Sequence, residues 1–331
     1  MPEVSVVLPV FDGEGTIARA ARSILDQTLR DIELIVVDDG SRDGTAAVVE
    51  ALGDSRVRLI RCAHRGLVSA LNTGISLAAA PLIARMDADD FSRPPRLEKQ
   101  RELILDRDLD VVGCRVRILD EASGRALSMQ RYQRWINEET VDGERICALR
   151  FVEHPLVHPT ILARRGYFEM GYRDRGLPED YDLMLRAAAR GLRFGKVDEI
   201  LFDWTDHPGR LTRTDSRYSP EAFLRCRRLH LLTGPLRDVA QVDLWGVGQT
   251  GKPWLRWLQA RKIAVRRAFD IDDRKVGTSI SGVSIAHPGD MPAADGTPLV
   301  IAVGAEGARD VILPQVQARG YRAGQDAWFV A

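Results

Sequence analysis

Residues 4–45 read VSVVLPVFDGEGTIARAARSILDQTLRDIELIVVDDGSRDGT, and the fold is decided in this stretch. Val4 to Val10 is an apolar run of strand length that meets the turn-forming pair Asp12-Gly13. Thr16 to Leu29 has helical spacing, with Ile17, Ala20, Ala21, Ile24 and Leu25 on one stripe. Glu33 to Val37 is a second strand, rich in β-branched residues and stopped by Asp38-Asp39-Gly40-Ser41. The alternation continues with a helix over Thr45–Leu52, a strand over Val57–Cys62, a helix over Leu67–Ala79 and a strand over Pro81–Met86. Strands alternating with helices predict an α/β fold, a mainly parallel sheet with flanking helices.

In open parallel sheets, ligands sit beyond the carboxyl ends of the strands. Three strands here end in residues that can do chemistry: Pro9 to Asp12, Asp38-Asp39-Gly40-Ser41 and Asp87-Ala88-Asp89-Asp90. One acidic cluster alone is as readily a turn former. Three clusters on one sheet edge are better explained by a shared site. Asp87 and Asp89, two apart on extended backbone, point to the same side. They suit a hard divalent cation, Mg2+ or Mn2+, which takes one or two carboxylates and fills its shell with phosphate oxygens and water. Such a cation is a Lewis acid toward the charge that grows on a departing diphosphate.

Farther along, the pattern loosens from about Asp108 to Glu144. Leu109–Leu119 reads as a strand or bent hairpin, and the polar stretch to Glu144 as an excursion over the surface. Order returns at His154–Thr160, and a helix starts near Glu179 or Asp180 and runs to Gly191. The basic helical stretch Pro220–Leu232 joins a second unit that begins near Val239. There, strand Val242–Trp245, the turn Gly246-Val247-Gly248-Gln249-Thr250-Gly251 and helix Lys252–Arg261 follow in order, with further strands at Ile263–Ile271, Gly282–Ala286 and Pro298–Val303. The expected organisation is therefore a domain over 1–235 and a small Rossmann-like α/β domain over 236–331. Gly246, Gly248 and Gly251, with Asp270 at the right interval, meet the context of a dinucleotide fingerprint and mark a possible second nucleotide site. The competing account has these glycines merely letting strand and helix pack closely. The span is also short for the two halves of a full dinucleotide fold. Trp254 and Trp257 share a helix face, as core or as a subunit contact.

The ordered motifs resemble the family 2 glycosyltransferases of GT-A fold. They are Ser5-Val6-Val7-Leu8-Pro9-Val10-Phe11, Ser23-Ile24-Leu25-Asp26-Gln27-Thr28, Val36 to Thr45, Leu71-Asn72-Thr73-Gly74-Ile75, Asp87-Ala88-Asp89-Asp90 and Pro178-Glu179-Asp180-Tyr181-Asp182-Leu183. The match spans roughly residues 3–215. A lone DxD is weak; the ordered series is specific. The resemblance implies an inverting transfer from a nucleotide sugar, a UDP-sugar by the family's frequency, to an acceptor hydroxyl in surface polysaccharide or glycoconjugate synthesis. It implies that Pro9, Phe11 and Glu14 line the nucleoside pocket and that Asp38 accepts a hydrogen bond from the base. Asp87 would reach the ribose or the metal, Asp89 would hold the metal, and Asp180 would be the catalytic base, with Glu179 and His158 on the acceptor side. His207, in Asp206-His207-Pro208-Gly209-Arg210, resembles a late segment that contributes to the metal site, and Arg210 and Arg213 could pair with phosphate. The family usually has Tyr-Asn where this chain has Phe11-Asp12. For Glu179-Asp180 the plain alternative is that of acids stabilising a helix start.

Bulk properties limit the rest. Lys+Arg and Asp+Glu both total 47, so formal net charge is zero and no pull toward nucleic acid follows. The 331 residues are 45% hydrophobic and 28% charged, ordinary for a globular chain of two domains. Four cysteines with no CxxC pair argue against a zinc cluster and fit reduced thiols. The first residues read as a core strand and no apolar run is long enough to span a bilayer. The expected setting is cytoplasmic, with peripheral attachment to the inner face of the membrane and homo-oligomerisation left open, and the acceptor a saccharide, lipid-linked or other hydroxyl. Two rivals stand beside the transferase. A nucleotidyltransferase would carry a basic phosphate loop after the first strand, and Pro9–Thr16 has no basic residue. An NAD(P)-dependent oxidoreductase, or a nucleotide-binding module, would use the second unit.

Overall fold

β1 (Val4–Val10) and β2 (Ile32–Asp38) are buried along their whole length, as strands covered on both faces must be. Their few polar residues are internally satisfied: Ser5 Oγ donates to Glu33 Oε1 at 2.6 Å, and Glu33 and Ser5 also receive the Ala79 and Ala80 N–H groups. Between them α1 (Ile17–Leu25) buries the expected stripe and stops four residues earlier than its spacing suggested. Thr28 N–H has left the helix to bond Pro94 O. α2 (Thr45–Glu50), β3 (Val57–Arg61), α3 (Leu67–Leu77) and β4 (Leu82–Arg85) follow as read. Gly74 sets how closely α3 lies on β1, because a Cβ there would stand 2.4 Å from Val7 Cγ1.

The computed structural model describes residues 1–120 and 126–331. Beyond β4 come β5 (Phe91–Ser92), α4 (Arg96–Arg107), β6 (Val111–Asp120), α5 (Ala126–Arg134), α6 (Gly143–Leu149), β7 (Leu162–Arg164), α7 (Arg165–Phe168), α8 (Glu179–Ala189), β8 (Phe194–Asp206), α9 (Leu211–Thr214) and α10 (Pro220–Thr233). The strands form an eight-stranded sheet in the order β3-β2-β1-β4-β7-β6-β8-β5. The half containing β3, β2, β1 and β4 is parallel, whereas β7 runs against both its neighbours and β5 against β8. β6 pairs parallel to β8 with two register shifts near Cys114–Val116.

Two parts of this unit depart from the sequence reading. β8, thirteen residues long, was not foreseen: Asp198, Glu199 and Ile200 interrupt its apolar pattern, and they fall where its pairing with β6 slips. The stretch up to Glu144 is not a surface excursion. Residues 121–125 lie outside the described part; the remainder is α5, a π-helical turn over Trp135–Glu139 and the start of α6. Ile136 is buried, and Asn137 closes both backbone groups of Val116, at 3.0 and 2.8 Å. Tyr132, Trp135 and Ile136 have helical spacing, and this signal is diluted by charged neighbours.

By its internal contacts the chain falls into one unit of Met1–Ile146 with Pro155–Phe223 and another of Cys147–His154 with Leu224–Ala331. The second unit has β9 (Gln241–Trp245), α11 (Gly251–Ala260), β10 (Ala264–Phe269), β11 (Ser279–Ile280), β12 (Val283–Ala286), β13 (Leu299–Ile301), α12 (Ala308–Ala318) and β14 (Ala327–Phe329). β12-β10-β9-β13-β14 is a parallel sheet, with β11 antiparallel at the β12 edge. Trp254 is core; Arg228 lies over it and over Trp257, 5.1 and 5.3 Å from the ring centres. Among the described residues no helix is long and apolar enough to cross a membrane.

Candidate active site

The loops after β1 and β2 are knitted to each other by their own polar side chains. Asp12 N–H donates to Ser41 Oγ (2.9 Å), Arg42 N–H to Asp12 Oδ1 (2.7 Å), Gly13 N–H to Thr45 Oγ1 (2.8 Å) and Glu14 N–H to Asp43 Oδ2 (3.0 Å). Asp12 takes a left-handed backbone, φ 50°, which Asp tolerates better than most residues. Glu14 accepts the Gly44 N–H at 2.9 Å, and a Cβ on residue 44 would strike its carboxylate. Glu14 thus ties the turn before α2 to the β1 loop through one carboxylate oxygen.

Asp38 ends β2, buried, with Oδ1 accepting the Ser41 N–H at 2.8 Å. Its neighbour Asp39, which no motif reading singled out, holds the next loop: Arg65 and Gly66 N–H groups donate to it at 2.9 and 2.8 Å, and His64 Nδ1 lies 2.9 Å from its Oδ2. His64 in turn stacks on Phe11, ring centres 4.2 Å apart, both rings largely open to solvent. Pro9 is buried within β1, paired with Val37.

One strand over, β4 delivers Asp87, Asp89 and Asp90, whose ligand atoms all lie within 4.8 Å of one another. The three are not equivalent. Asp87 is paired with Arg85 and lies 3.5 Å from Arg210. Asp90 is fully buried; its Oδ1 accepts the Thr205 N–H at 2.7 Å and faces Arg210 at 3.7 Å, while Oδ2 has no hydrogen-bond partner among the described residues. Asp89 remains half-exposed, with His207 Nε2 2.9 Å from its Oδ2. Arg210 rests on Trp204, 4.5 Å from the ring centre. Hard carboxylate oxygens beside an imidazole, with an orphaned buried oxygen behind, are a donor set that fits Mg2+ or Mn2+. Arg213 is turned away to Asp206.

Asp180 and Glu179 open α8 behind Pro178; Glu179 is buried and the Asp180 side chain is 19% exposed, more enclosed than a helix cap needs. Asp180 Oδ1 accepts only its own neighbour's N–H, from Tyr181 at 2.7 Å, while the i,i+4 pairing typical of a helix start belongs to Asp182 and Arg186. Burial pushes the Asp180 carboxyl up to about 6, against the pull of Arg85 and with the push of Asp87. Asp180 thus shares its electrostatic surroundings with the acidic cluster. Burial, then Asp180, raises Glu179 to about 7, although Tyr218 Oη donates to its carboxylate from 2.8 Å. His158 Nδ1 lies 3.9 Å from Asp180 Oδ2. Arg85 and Tyr218 were missed because each sits outside the motifs; nothing in spacing alone marks them.

In the second unit the glycines of the turn pack closely against their surroundings. A Cβ on Gly251 would lie 1.8 Å from Gly246 O, and one on Gly246 would lie 2.8 Å from Ala302 O. Gly248 is less crowded, with Lys275 Nζ nearest. Asp270 is spent internally on Val247 N–H, Lys275 and Asp272 N–H, each at 3.0 Å.

Residues 5–170 match the sequence pattern of glycosyl transferase family 2. The chain belongs to that family. It is similar to EpsE of Bacillus subtilis, named as a glycosyltransferase, at 32% identity over 72% of this chain and 85% of EpsE. It is also similar to the O-antigen biosynthesis glycosyltransferase WbnJ of Escherichia coli, at 29% identity over 62% of this chain and 80% of WbnJ. The fold resembles that of S. aureus TarS 1–349 solved with UDP-GlcNAc: TM-score 0.57, 19% identity, 72% of this chain and 68% of that one. The mannosyltransferase PcManGT from Pyrobaculum calidifontis, solved with GDP-Man and Mn2+, aligns at TM-score 0.50 and 19% identity, over 79% and 69% of the chains. This family 2 member is a glycosyltransferase of GT-A fold, and the oxidoreductase alternative is not favoured.

Proposed function

We propose that this glycosyltransferase moves a sugar, with inversion, from a nucleotide sugar to an acceptor hydroxyl, and that it serves surface-polysaccharide synthesis. The observation that carries the reading is the placement of Asp180: a largely enclosed carboxyl with its pKa raised to about 6, within the field of Arg85 and Asp87 of the acidic cluster. A general base is most useful with a pKa near the working pH, and positioned base catalysis typically contributes about 10²–10⁴-fold. Asp180 takes the proton of the acceptor hydroxyl as its oxygen bonds the anomeric carbon. On the opposite face the bond from that carbon to the diphosphate breaks, and its electron pair leaves with the phosphate oxygen.

On the donor side, Phe11 and His64 offer ring surface to the base, and Asp38 keeps Oδ2 for a base N–H. Asp89 and His207 would hold the divalent cation, with Asp87 beside them; when bound, it supplies Lewis-acid stabilisation of the leaving diphosphate. Arg210 adds a charge-assisted donor for a phosphate oxygen. TarS was solved with UDP-GlcNAc and PcManGT with GDP-Man, which supports a nucleotide-sugar donor and leaves UDP as the first choice to test. The second unit we read as a Rossmann-like accessory domain whose glycines serve packing. The deciding experiment is a thermal-shift screen of UDP, GDP, dTDP and NAD+, each with and without Mn2+. Stabilisation by one nucleoside diphosphate that depends on Mn2+ supports the reading; stabilisation by NAD+ alone would overturn it. Asp180→Asn should keep that stabilisation and abolish transfer; unchanged turnover would remove Asp180 from the mechanism.

A further inference from the structure

Asn72, Tyr172 and His158 are polar side chains that no step above uses, and they form a connected line ending at Asp180. Asn72, on α3, clamps the backbone of residue 172 from both sides: its Nδ2 donates to Tyr172 O at 3.0 Å, and its Oδ1 accepts the Tyr172 N–H at 2.9 Å. The phenol so fixed is buried, and its Oη lies 2.6 Å from His158 Nε2, the rings meeting edge-on at 5.4 Å. His158 is buried too, at the head of the short turn His158–Thr160. Its other nitrogen, Nδ1, is the one that faces Asp180 Oδ2 at 3.9 Å.

Proton positions follow from this order. Burial drives the Tyr172 phenol well above its ordinary pKa, so it keeps its proton and can donate it to Nε2. A neutral imidazole that accepts at Nε2 carries its hydrogen on Nδ1. In that tautomer the hydrogen points at the Asp180 carboxylate. The other charged and titratable groups around Asp180 are Arg85, Asp87, Glu179, Tyr167, Tyr172 and Tyr218. Of these, Arg85 is paired with Asp87 and Tyr218 with Glu179. Catalytic contacts are commonly long in a ligand-free site and tighten when substrate binds, and about 1 Å of closure would make this one a hydrogen bond.

We propose that His158, locked as its Nδ1–H tautomer by Tyr172 and Asn72, is a positioning residue that holds Asp180 Oδ2 so that the carboxylate presents itself to the acceptor hydroxyl. The inference rests on Asp180 being the base. No proton changes owner along the line: the acceptor's proton goes to Asp180, and the Nδ1 hydrogen stays on the ring.

The test uses the full chain with ¹⁵N-labelled histidine, six residues in all, the His158 signals being those lost in His158→Gln. The expected spectrum shows Nδ1 protonated and Nε2 bare, and Tyr172→Phe, which keeps the ring, should turn this into a tautomer mixture. No substrate is needed for that measurement. Turnover is then read as nucleoside diphosphate release from a panel of UDP-glucose, UDP-galactose, UDP-GlcNAc and GDP-mannose with Mn2+, water serving as acceptor. Asn places its amide nitrogen where Nδ1 sits and Gln where Nε2 sits. His158→Asn should therefore keep most of kcat, while His158→Gln loses roughly 10–100-fold, a part of what a general base supplies. Tyr172→Phe should lose roughly 10-fold and move the acid limb of the kcat profile to higher pH. Donor KM and diphosphate affinity should stay as in the parent. An Nε2-protonated ring in the parent protein, or losses in diphosphate affinity that match those in kcat, would overturn the proposal. Asp180→Asn separates the two readings. Normal turnover in that variant sinks the base itself; a dead Asp180→Asn beside fully active His158→Gln and Tyr172→Phe sinks only the positioning role.

Discussion

Asp180→Asn should make the protein more stable at the pH where it makes it inactive. In the folded chain the Asp180 carboxyl titrates at about 6 rather than 3.8, chiefly because it is buried. Between those values the folded state holds a proton that the unfolded chain has released, so stability falls as pH rises through that window and the penalty is complete above about 6. A displacement from 3.8 to about 6 corresponds to about 3 kcal/mol as a ceiling. The side chain is 19% exposed, so solvent relieves part of this, and about 1–3 kcal/mol is expected. Asparagine carries no charge at any of these pH values and can still accept the Tyr181 N–H. The variant should therefore melt above the parent at pH 8, by roughly 2–4 °C per kcal/mol for a unit of this size. The two curves should meet near pH 4. Circular-dichroism melts of both proteins across pH 4–8 measure this. A variant less stable than the parent at pH 8, or a gap that does not change with pH, would refute the argument that burial of a charge sets this pKa.

Asp89→Asn and His207→Ala should each abolish the Mn2+-dependent part of diphosphate stabilisation in a thermal-shift assay while leaving the melting of the free protein within about 0.5 kcal/mol, since both side chains are half-exposed. Tyr218→Phe removes the hydroxyl that serves the buried Glu179 carboxylate. A loss of about 1–3 kcal/mol is expected at pH 8, shrinking below pH 7 as Glu179 protonates, and urea titrations at the two pH values would show it. Gly74→Ala forces a methyl against Val7 in the β1–α3 contact and should cost about 1–3 kcal/mol, seen as a lower urea midpoint.

The parallel half of the sheet was legible because β1, β2 and β4 are continuous apolar runs ended by acidic turns, and burial on both faces writes that pattern directly into sequence. Which strand ends gather carboxylates was legible for the same reason. β8 and the helical segment around Ile136 were not, because one slips register at Asp198–Ile200 and the other hides three apolar residues among charges. At the site, motif reading named Asp87, Asp89, Asp180, His207 and Glu14, but it did not show that the Glu14 carboxylate accepts the Gly44 N–H across the two loops. Partners such as Tyr218 for Glu179 or Tyr172 for His158 lie 39 and 14 residues away. Nothing local marks residues that meet only after the chain has folded.

The charge balance at the end of β4 shows why the acidic motif needs the rest of the fold. Two like charges 4 Å apart repel by about 4 kcal/mol at an effective dielectric of 20. A diphosphate approaching three bare carboxylates would face that cost several times over. Here Arg85 sits on Asp87, and Arg210 reaches both Asp87 and Asp90, so two guanidiniums offset two of the three acids. Of the three, the acid whose carboxylate is not paired with a guanidinium among the described residues is Asp89, beside His207. Arg85 comes from β4 itself, but Arg210 and His207 arrive on the segment after β8, where Arg210 rests on Trp204. The strand whose pattern was hardest to read is thus the one that makes an acidic edge hospitable to phosphate.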